Sequence, residues 1–442
     1  MATPRELALK ILYDIEKNGA YLNISFKNHT EAEKLSERDV AFVKELTYGV
    51  MKYKLALDFT VARFSSVKVK KLAPFVLCIL RLGVYQLFYM DKIPQSAAVN
   101  ESVKLAGRYA GKSRGFINAI LRKVAKEGQN LPMGGDCESL SIRYSHPLSL
   151  VLWLTEQFGV KKAEQLLAEN NIAPSLCVRV NTYKKTKESV LKKLSQEGVI
   201  LREGTLSDSA LLIRSGGVQQ LSSYAEGLFT IQDQSAQLAA LALSPKPGET
   251  VYDVCAAPGG KTTHLAELME NQGEILALDL YEKRLAAVEQ AALRLGLSII
   301  KTCASDASTY PFAKQADKIL IDAPCSGLGV IRRRPDIKYK PELTDFTELV
   351  AIQKQILDHC SSYLKPGGEM VYSTCTINPD ENENQIHGFL KTHPEFELMP
   401  IVHQQIIGRA KEILSNGMGT FYPEQDGGDG FFIAKLRRRS HG

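Results

Sequence analysis

From about residue 226 to the C-terminus, strand-like segments alternate regularly with helical ones. This alternation constrains the fold more than any other feature of the chain. Strands are expected at 250–254, 274–278, 299–302, 318–321, 369–372 and 431–435, and helices at 261–269, 281–295, 345–364 and 379–390. Such a pattern predicts an α/β fold with a doubly wound, mostly parallel sheet. Ligands of these sheets lie beyond the carboxyl ends of the strands. Asp253, Cys255, Asp279, Asp306, Asp322 and Cys375 all fall at or just after predicted strand ends, so one crevice is expected to gather them.

At 442 residues the chain exceeds one ordinary core, and two or three domains are expected. The first third reads as all helix. Thr3-Pro4-Arg5-Glu6 is a capping box with proline at the first helical position, and Leu7, Ala8, Ile11, Leu12 and Ile15 continue it as an apolar stripe. Ser36 starts another helix, and more follow over 72–90, 95–109 and 114–126. A Gly-rich polar stretch then reads as a linker. Beyond it come a helix over 148–170, a strand through Leu176, Val178 and Val180, a helix over 186–198 and a strand at 211–213. The expected organisation is an all-helical domain (1–127), a linker (128–140), a small α+β connecting module (141–225) and an α/β domain (226–442).

Charge is unevenly placed. Residues 1–140 hold 22 Lys+Arg against 14 Asp+Glu, although the whole chain carries only +6. A basic N-terminal third suits an electrostatic tether for a polyanion; counting alone allows scattered solvated lysines equally well. The eight cysteines form no C-x-x-C pair, so neither a zinc site nor any other metal site is expected. Cys78, Cys137, Cys177, Cys303 and Cys360 read as small buried hydrophobes or surface thiols. The N-terminus lacks a signal-peptide layout, and the apolar run 72–80 falls short of the roughly 20 residues of a membrane helix. A cytoplasmic protein without membrane contact is expected.

The turn Cys255-Ala256-Ala257-Pro258-Gly259-Gly260-Lys261-Thr262 joins a strand to a helix. Glycines let the backbone approach a ligand, and the helix N-terminus offers free N–H groups to an anion. A phosphate-binding G-x-x-x-x-G-K-[ST] loop would need glycine where Cys255 stands, and the dinucleotide pattern G-x-G-x-x-G is absent. S-adenosyl-L-methionine, with its carboxylate at the loop, fits better. Asp279, 20 residues after Gly259, suits ribose hydroxyls, and Asp306 suits an adenine amino group.

Two thiols stand in small-residue turns after strands: Asp322-Ala323-Pro324-Cys325-Ser326-Gly327 and Ser373-Thr374-Cys375-Thr376. Cytosine C5 is a poor nucleophile until a thiolate adds to C6; afterwards a base must remove the C5 proton and the thiol must leave. Two thiols and a carboxylate suit that sequence of events. Spacing alone does not say which thiol attacks.

The motifs CAAPGGKT, DAPCSG and STCT together resemble the RNA cytosine-C5 methyltransferases of the Nol1/Nop2/Sun family, and the whole chain is similar to its RsmB (Sun, Fmu) branch. Ala98–Ala106 with Phe116–Lys123 resembles the NusB RNA-binding fold. The resemblance implies a Rossmann-like S-adenosyl-L-methionine-dependent methyltransferase of 16S rRNA. It makes Cys375 the nucleophile at C6 and Cys325 the thiol that assists release. Cys255 through Lys261 (Cys255, Ala256, Ala257, Pro258, Gly259, Gly260, Lys261), with Asp279, Asp306 and Asp322, would line the cofactor site, and Asp322 would also meet the cytosine. Thr376 stands where serine is usual, and Tyr339 where tryptophan is common.

The partner is expected to be small-subunit rRNA, naked or in an early assembly intermediate, presenting a single-stranded or loop base to a monomer. Arg332, Arg333, Arg334, Lys338 and Lys340 are expected to hold phosphates beside the pocket. His146, His264 and His359 read as structural. Two rival readings are a non-catalytic RNA-binding ribosome-assembly factor and a P-loop ATPase acting on RNA.

Overall fold

The capping box read from the sequence opens the first helix, Pro4–Asn18: Thr3 Oγ1 accepts from Glu6 N, and the Glu6 carboxylate accepts from Thr3 N. The computed structural model describes residues 2–440 apart from 34, 215–216, 341–342, 344 and 424–426. By compactness the chain forms two units, Met1–Ala173 with Ile331–Thr344, and Pro174–Val330 with Asp345–Gly442.

Among its described residues the first unit is helical. Glu37–Lys52 is capped by Ser36, and Pro74–Tyr89, Gln95–Tyr109 and Arg114–Glu127 follow. Leu9, Ile11, Leu46, Ile79, Leu80 and Leu121 form their shared core. Two expectations need correction. The single helix expected over 148–170 is two, Leu148–Phe158 and Val160–Glu169, because Gly159 turns the chain at φ +78°. The end of the expected linker is the start of a helix, Cys137–Arg143, capped by Asp136.

The basic segment after Val330 also departs from expectation. Lys338 is buried within the first unit, where its ammonium donates to Lys52 O at 2.6 Å, and burial pulls its pKa well below the lysine range. Arg332 is buried beside Glu169 at 3.3 Å, and Lys340 sits 5.2 Å from the Tyr21 ring. Arg332 and Lys338 are therefore packing groups, not solvated phosphate holders; Arg334 is exposed.

Among its described residues the second unit holds twelve strands: β1 Leu176–Val180, β2 Leu201–Glu203, β3 Ala210–Ile213, β4 Phe229–Ile231, β5 Thr250–Asp253, β6 Glu274–Asp279, β7 Ile300–Ala304, β8 Ala316–Asp322, β9 Leu364–Thr374, β10 Phe396–Leu398, β11 Met418–Phe421 and β12 Phe431–Arg438. β1–β4 make a small antiparallel sheet in the order β2-β3-β1-β4. The large sheet runs β10-β12-β9-β8-β5-β6-β7, with β11 on β12; it is parallel from β9 to β7 and antiparallel at the β12 end.

Alternation along the strands builds a three-layer sandwich. Val251, Leu320, Val371 and Ile433 share one core with helices Gln234–Leu243 and Gly260–Leu268. Tyr252, Ile319, Ile321, Tyr372 and Phe432 share another with helices Thr347–Ser361 and Glu383–Thr392. The chain order reverses between β5 and β8. That switch point opens a crevice beyond the strand ends carrying Asp253 and Asp322.

Candidate active site

β5 ends at Asp253, and the helix Gly260–Leu268 begins after a short turn. Gly259 has φ +99°, and a Cβ there would stand 2.9 Å from Val288 Cα, so only glycine fits. Thr262 Oγ1 donates to Asp253 Oδ2 at 2.7 Å and ties the helix start to the strand end. From the small sheet, the fully buried Arg179 donates to Gly260 O at 2.7 Å and to the Gln232 side chain, and pairs with both oxygens of buried Glu267 at 3.1 and 2.7 Å. The loop is thus held from strand, helix and small sheet together.

A cleft of about 500 Å³ brings together Cys255, Ala256, Ala257, Pro258, Gly260, Lys261 and Asp322 with Asp253, Ile231, Gln232 and Ala236. The sequence reading had no role for Gln232. Gly259, Asp279 and Asp306 do not line this cleft. Asp279 instead supports the loop from β6. Its Oδ2 accepts from Ala257 N at 3.2 Å, and its Oδ1 accepts from Tyr281 N and Arg284 Nη1 at 3.2 and 3.1 Å. Asp306 is exposed, and its Oδ1 accepts from Ser308 N and Oγ at 2.8 and 2.7 Å.

Among the described residues, Asp253 Oδ1 is buried with no hydrogen-bond partner. Burial pushes this carboxyl up to about 7; the charge of Asp322 adds to the effect, while the Thr262 hydroxyl and Lys261 oppose it in part. Burial likewise drives the Cys255 thiol well above its ordinary value, with Asp322 and Asp253 adding to it. Lys261 Nζ donates to Asp322 Oδ2 at 2.7 Å and lies 4.9 Å from the Phe431 ring. Burial lowers the Lys261 pKa, but Asp322 outweighs it and the net change is upward. Ser373 Oγ donates to the other oxygen of Asp322 at 2.9 Å.

The adjacent parallel strands β8 and β9 pair Asp322 with Ser373. Continuing past that pair, they carry Cys325 and Cys375 to an Sγ–Sγ separation of 3.2 Å, with both cysteines free. The Cys325 thiol is held well above its ordinary value by its hydrogen bond with Cys375, by burial, and by the charges of Glu381 and Asp322.

Glu381 was not anticipated from the sequence. It lies in the turn between β9 and the helix Glu383–Thr392, fully buried. An acidic residue six positions after a reactive cysteine is a weak signal, because its partners are far apart in the chain.

Among the described residues, no group of three side chains could hold a metal ion, and no helix is long and apolar enough to cross a membrane.

The description 16S rRNA methyltransferase RsmB/F belongs to a family model that matches residues 240–437. A NusB family model matches 2–126, and a ferredoxin-like domain of RsmF/B-like methyltransferases matches 146–219. A Bacillus subtilis (strain 168) protein named "Probable ribosomal RNA small subunit methyltransferase B" is 37% identical, covering 98% of both chains. The crystal structure of PH0851 is similar over 99% of both chains, with 28% identity and a TM-score of 0.81. That of NSun6 from Pyrococcus horikoshii with SFG covers 66% of this chain and 98% of its own, with 25% identity and a TM-score of 0.59.

Proposed function

We propose, since the chain belongs to the 16S rRNA methyltransferase RsmB/F family, that it methylates C5 of a cytosine in small-subunit rRNA through a covalent thiol adduct. The chain is an S-adenosyl-L-methionine-dependent rRNA methyltransferase. The observation that carries the finer reading is the pair of free thiols 3.2 Å apart at the ends of adjacent strands.

The residues fit the methyl donor. The loop from Cys255 to Lys261 offers a glycine-bounded helix start, and the orphaned Asp253 Oδ1 calls for a hydrogen-bond donor such as an ammonium group. S-adenosyl-L-methionine, when bound, supplies an electrophilic methyl group on a sulfonium. The cofactor set proposed is Cys255, Ala256, Ala257, Pro258, Gly259, Gly260, Lys261 and Asp322, with Asp279 bracing the loop from β6. Asp306, whose Oδ1 accepts from Ser308 N, is assigned the adenine amino group.

Cys375 is assigned the attack: its sulfur bonds to cytosine C6, and the ring electrons become available at C5. The Lys261 ammonium and the Cys375 sulfur interact. Cys325, kept as a thiol, is assigned to product release, in which the C5 proton goes to a base and the C6–S bond breaks to return the Cys375 thiolate. Residues 1–127 serve as the rRNA tether and 226–442 as the catalytic domain; the substrate is naked rRNA or an early assembly intermediate, met by a monomer.

The test compares Cys375→Ala with Cys325→Ala in single-turnover assays on 16S rRNA. Cys375→Ala is expected to abolish both methyl transfer and any denaturant-stable RNA adduct. Cys325→Ala is expected to accumulate that adduct. Normal turnover by Cys325→Ala would remove its assigned role, and activity in Cys375→Ala would remove the covalent reading.

A further inference from the structure

Among the described residues, the fully buried Glu381 carboxylate accepts five hydrogen bonds, none from a lysine, arginine or histidine. Its Oε2 accepts from Ser326 N at 2.8 Å and Gln353 Nε2 at 2.9 Å. Its Oε1 accepts from Ser326 Oγ at 2.5 Å, Asn378 Nδ2 at 3.1 Å and Thr376 Oγ1 at 3.3 Å. Its own backbone is fixed by Tyr372, whose hydroxyl donates to Glu381 O at 2.8 Å. Taking a carboxylate out of water without a countercharge is costly, and a purely structural tie between two loops could be made with neutral groups. The donors are informative in their placement. Ser326 follows Cys325, and Thr376 follows Cys375, and their hydroxyls are 2.8 Å apart.

We propose that Glu381 is a positioning residue that clamps the two thiol turns against each other and so sets the separation and the aim of Cys325 and Cys375. This rests on the covalent reading of those thiols. The clamp is asymmetric. Its two shortest bonds go to Ser326, on the Cys325 side, and its bond to Thr376 is the longest. Glu381 and Asp322 also disfavour the Cys325 thiolate. One buried anion therefore both holds the two thiol turns together and opposes ionisation of Cys325.

The experiment uses the full-length protein and Glu381→Gln. The amide keeps the side chain's size but replaces an acceptor by an NH₂ group, which must face either the Ser326 and Gln353 N–H groups or the Asn378 amide. Expected are a Kd for S-adenosyl-L-methionine and a KM for 16S rRNA within threefold of wild type, with kcat lowered at least a hundredfold. Iodoacetamide labelling of Cys325, resolved by peptide mass spectrometry, is expected to reach half its maximal rate at least one pH unit lower. A folded Glu381→Gln protein with kcat within threefold and unchanged labelling profiles for both cysteines overturns the proposal.

If Glu381→Gln does not fold, Ser326→Ala and Thr376→Val each delete one hydroxyl of the clamp. Each is expected to lower kcat at least fivefold with KM unchanged; wild-type kcat in both would equally overturn the proposal. Labelling needs neither rRNA nor methyl donor. An active Cys375→Ala would therefore defeat the covalent reading while the labelling profiles still decide what Glu381 does to the thiols.

Discussion

Lowering the pH should weaken binding of S-adenosyl-L-methionine through one group, Asp253. Asp253 lines the cleft, its buried Oδ1 has no hydrogen-bond partner among the described residues, and burial pushes its carboxyl up to about 7 from 3.8. Burial sets this value; the Asp322 carboxylate raises it further, and the Thr262 hydroxyl, the Lys261 ammonium and the Cys255 backbone N–H lower it. A raised carboxyl means that the folded protein holds this proton more tightly than the unfolded chain does. Its contribution to stability is thus most favourable below pH 4 and falls by about 4 kcal/mol as pH rises through 7. An ammonium seated on Oδ1 reverses that penalty only when the carboxyl is ionised, so the cofactor must displace the proton. Between pH 5.5 and 7, below the titration of a free α-amino group, the Kd should therefore be about fifteenfold weaker at the acid end. At pH 6 binding should release about 0.9 proton per site. Calorimetry in buffers of different ionisation enthalpy measures both quantities. Asp253→Asn should bind more weakly and with a flat pH profile. A flat wild-type profile, or the same slope in Asp253→Asn, would refute the assignment of Oδ1 to the ammonium.

Arg179→Met removes the cation from the buried pair with Glu267 and leaves that carboxylate uncompensated. A loss of about 3–5 kcal/mol is expected in denaturant titration, and weaker cofactor binding because Gly260 O loses its donor. Replacing exposed Lys68, Lys70 and Lys71 with glutamate should weaken rRNA binding, flatten its salt dependence and leave cofactor affinity unchanged. This exchange is a cleaner test of the tether than deleting residues 1–126, because Lys338 and Tyr339 pack among the helices that deletion would remove.

The parts legible in the sequence are those whose signal is local. Thr3 and Ser36 cap helices through bonds that span three residues, and Gly259 sits where a strand must turn into a helix. Strand ends carrying Asp253, Asp279, Asp322 and Cys375 could be counted off because the strand–helix period repeats. Helix Gln234–Leu243 went unread because it is buried all round and shows no amphipathic stripe. β10 and β11, of three and four residues, are too short to show a period. Arg179 and Glu267 are 88 residues apart, and Ser326 and Glu381 are 55 apart; no local rule pairs them. An arginine inside the strand LCVRV was the one visible sign of a buried ion pair. Lys338 misled for the opposite reason: a basic run looks solvated until a carbonyl is found to hold its ammonium.

Two cysteines in the turns just past the ends of neighbouring strands look alike in sequence, yet their surroundings differ. β9 continues into the turn that carries Glu381, and that turn folds back beneath the loop after β8, so the buried anion contacts the residue after Cys325 most closely. β5 leads into the loop that carries Lys261, which reaches Asp322 and influences Cys375. A thiolate is favoured where a cation stands and disfavoured where an anion does, and at 3.2 Å ionisation of one thiol opposes ionisation of the other. The Cys325 thiol, beside the buried anion, is held well above its ordinary value. Removing those charges, by Lys261→Met together with Glu381→Gln, should bring the labelling profiles of the two cysteines together; profiles that stay as far apart as in the wild type would show that something other than these two charges distinguishes the thiols.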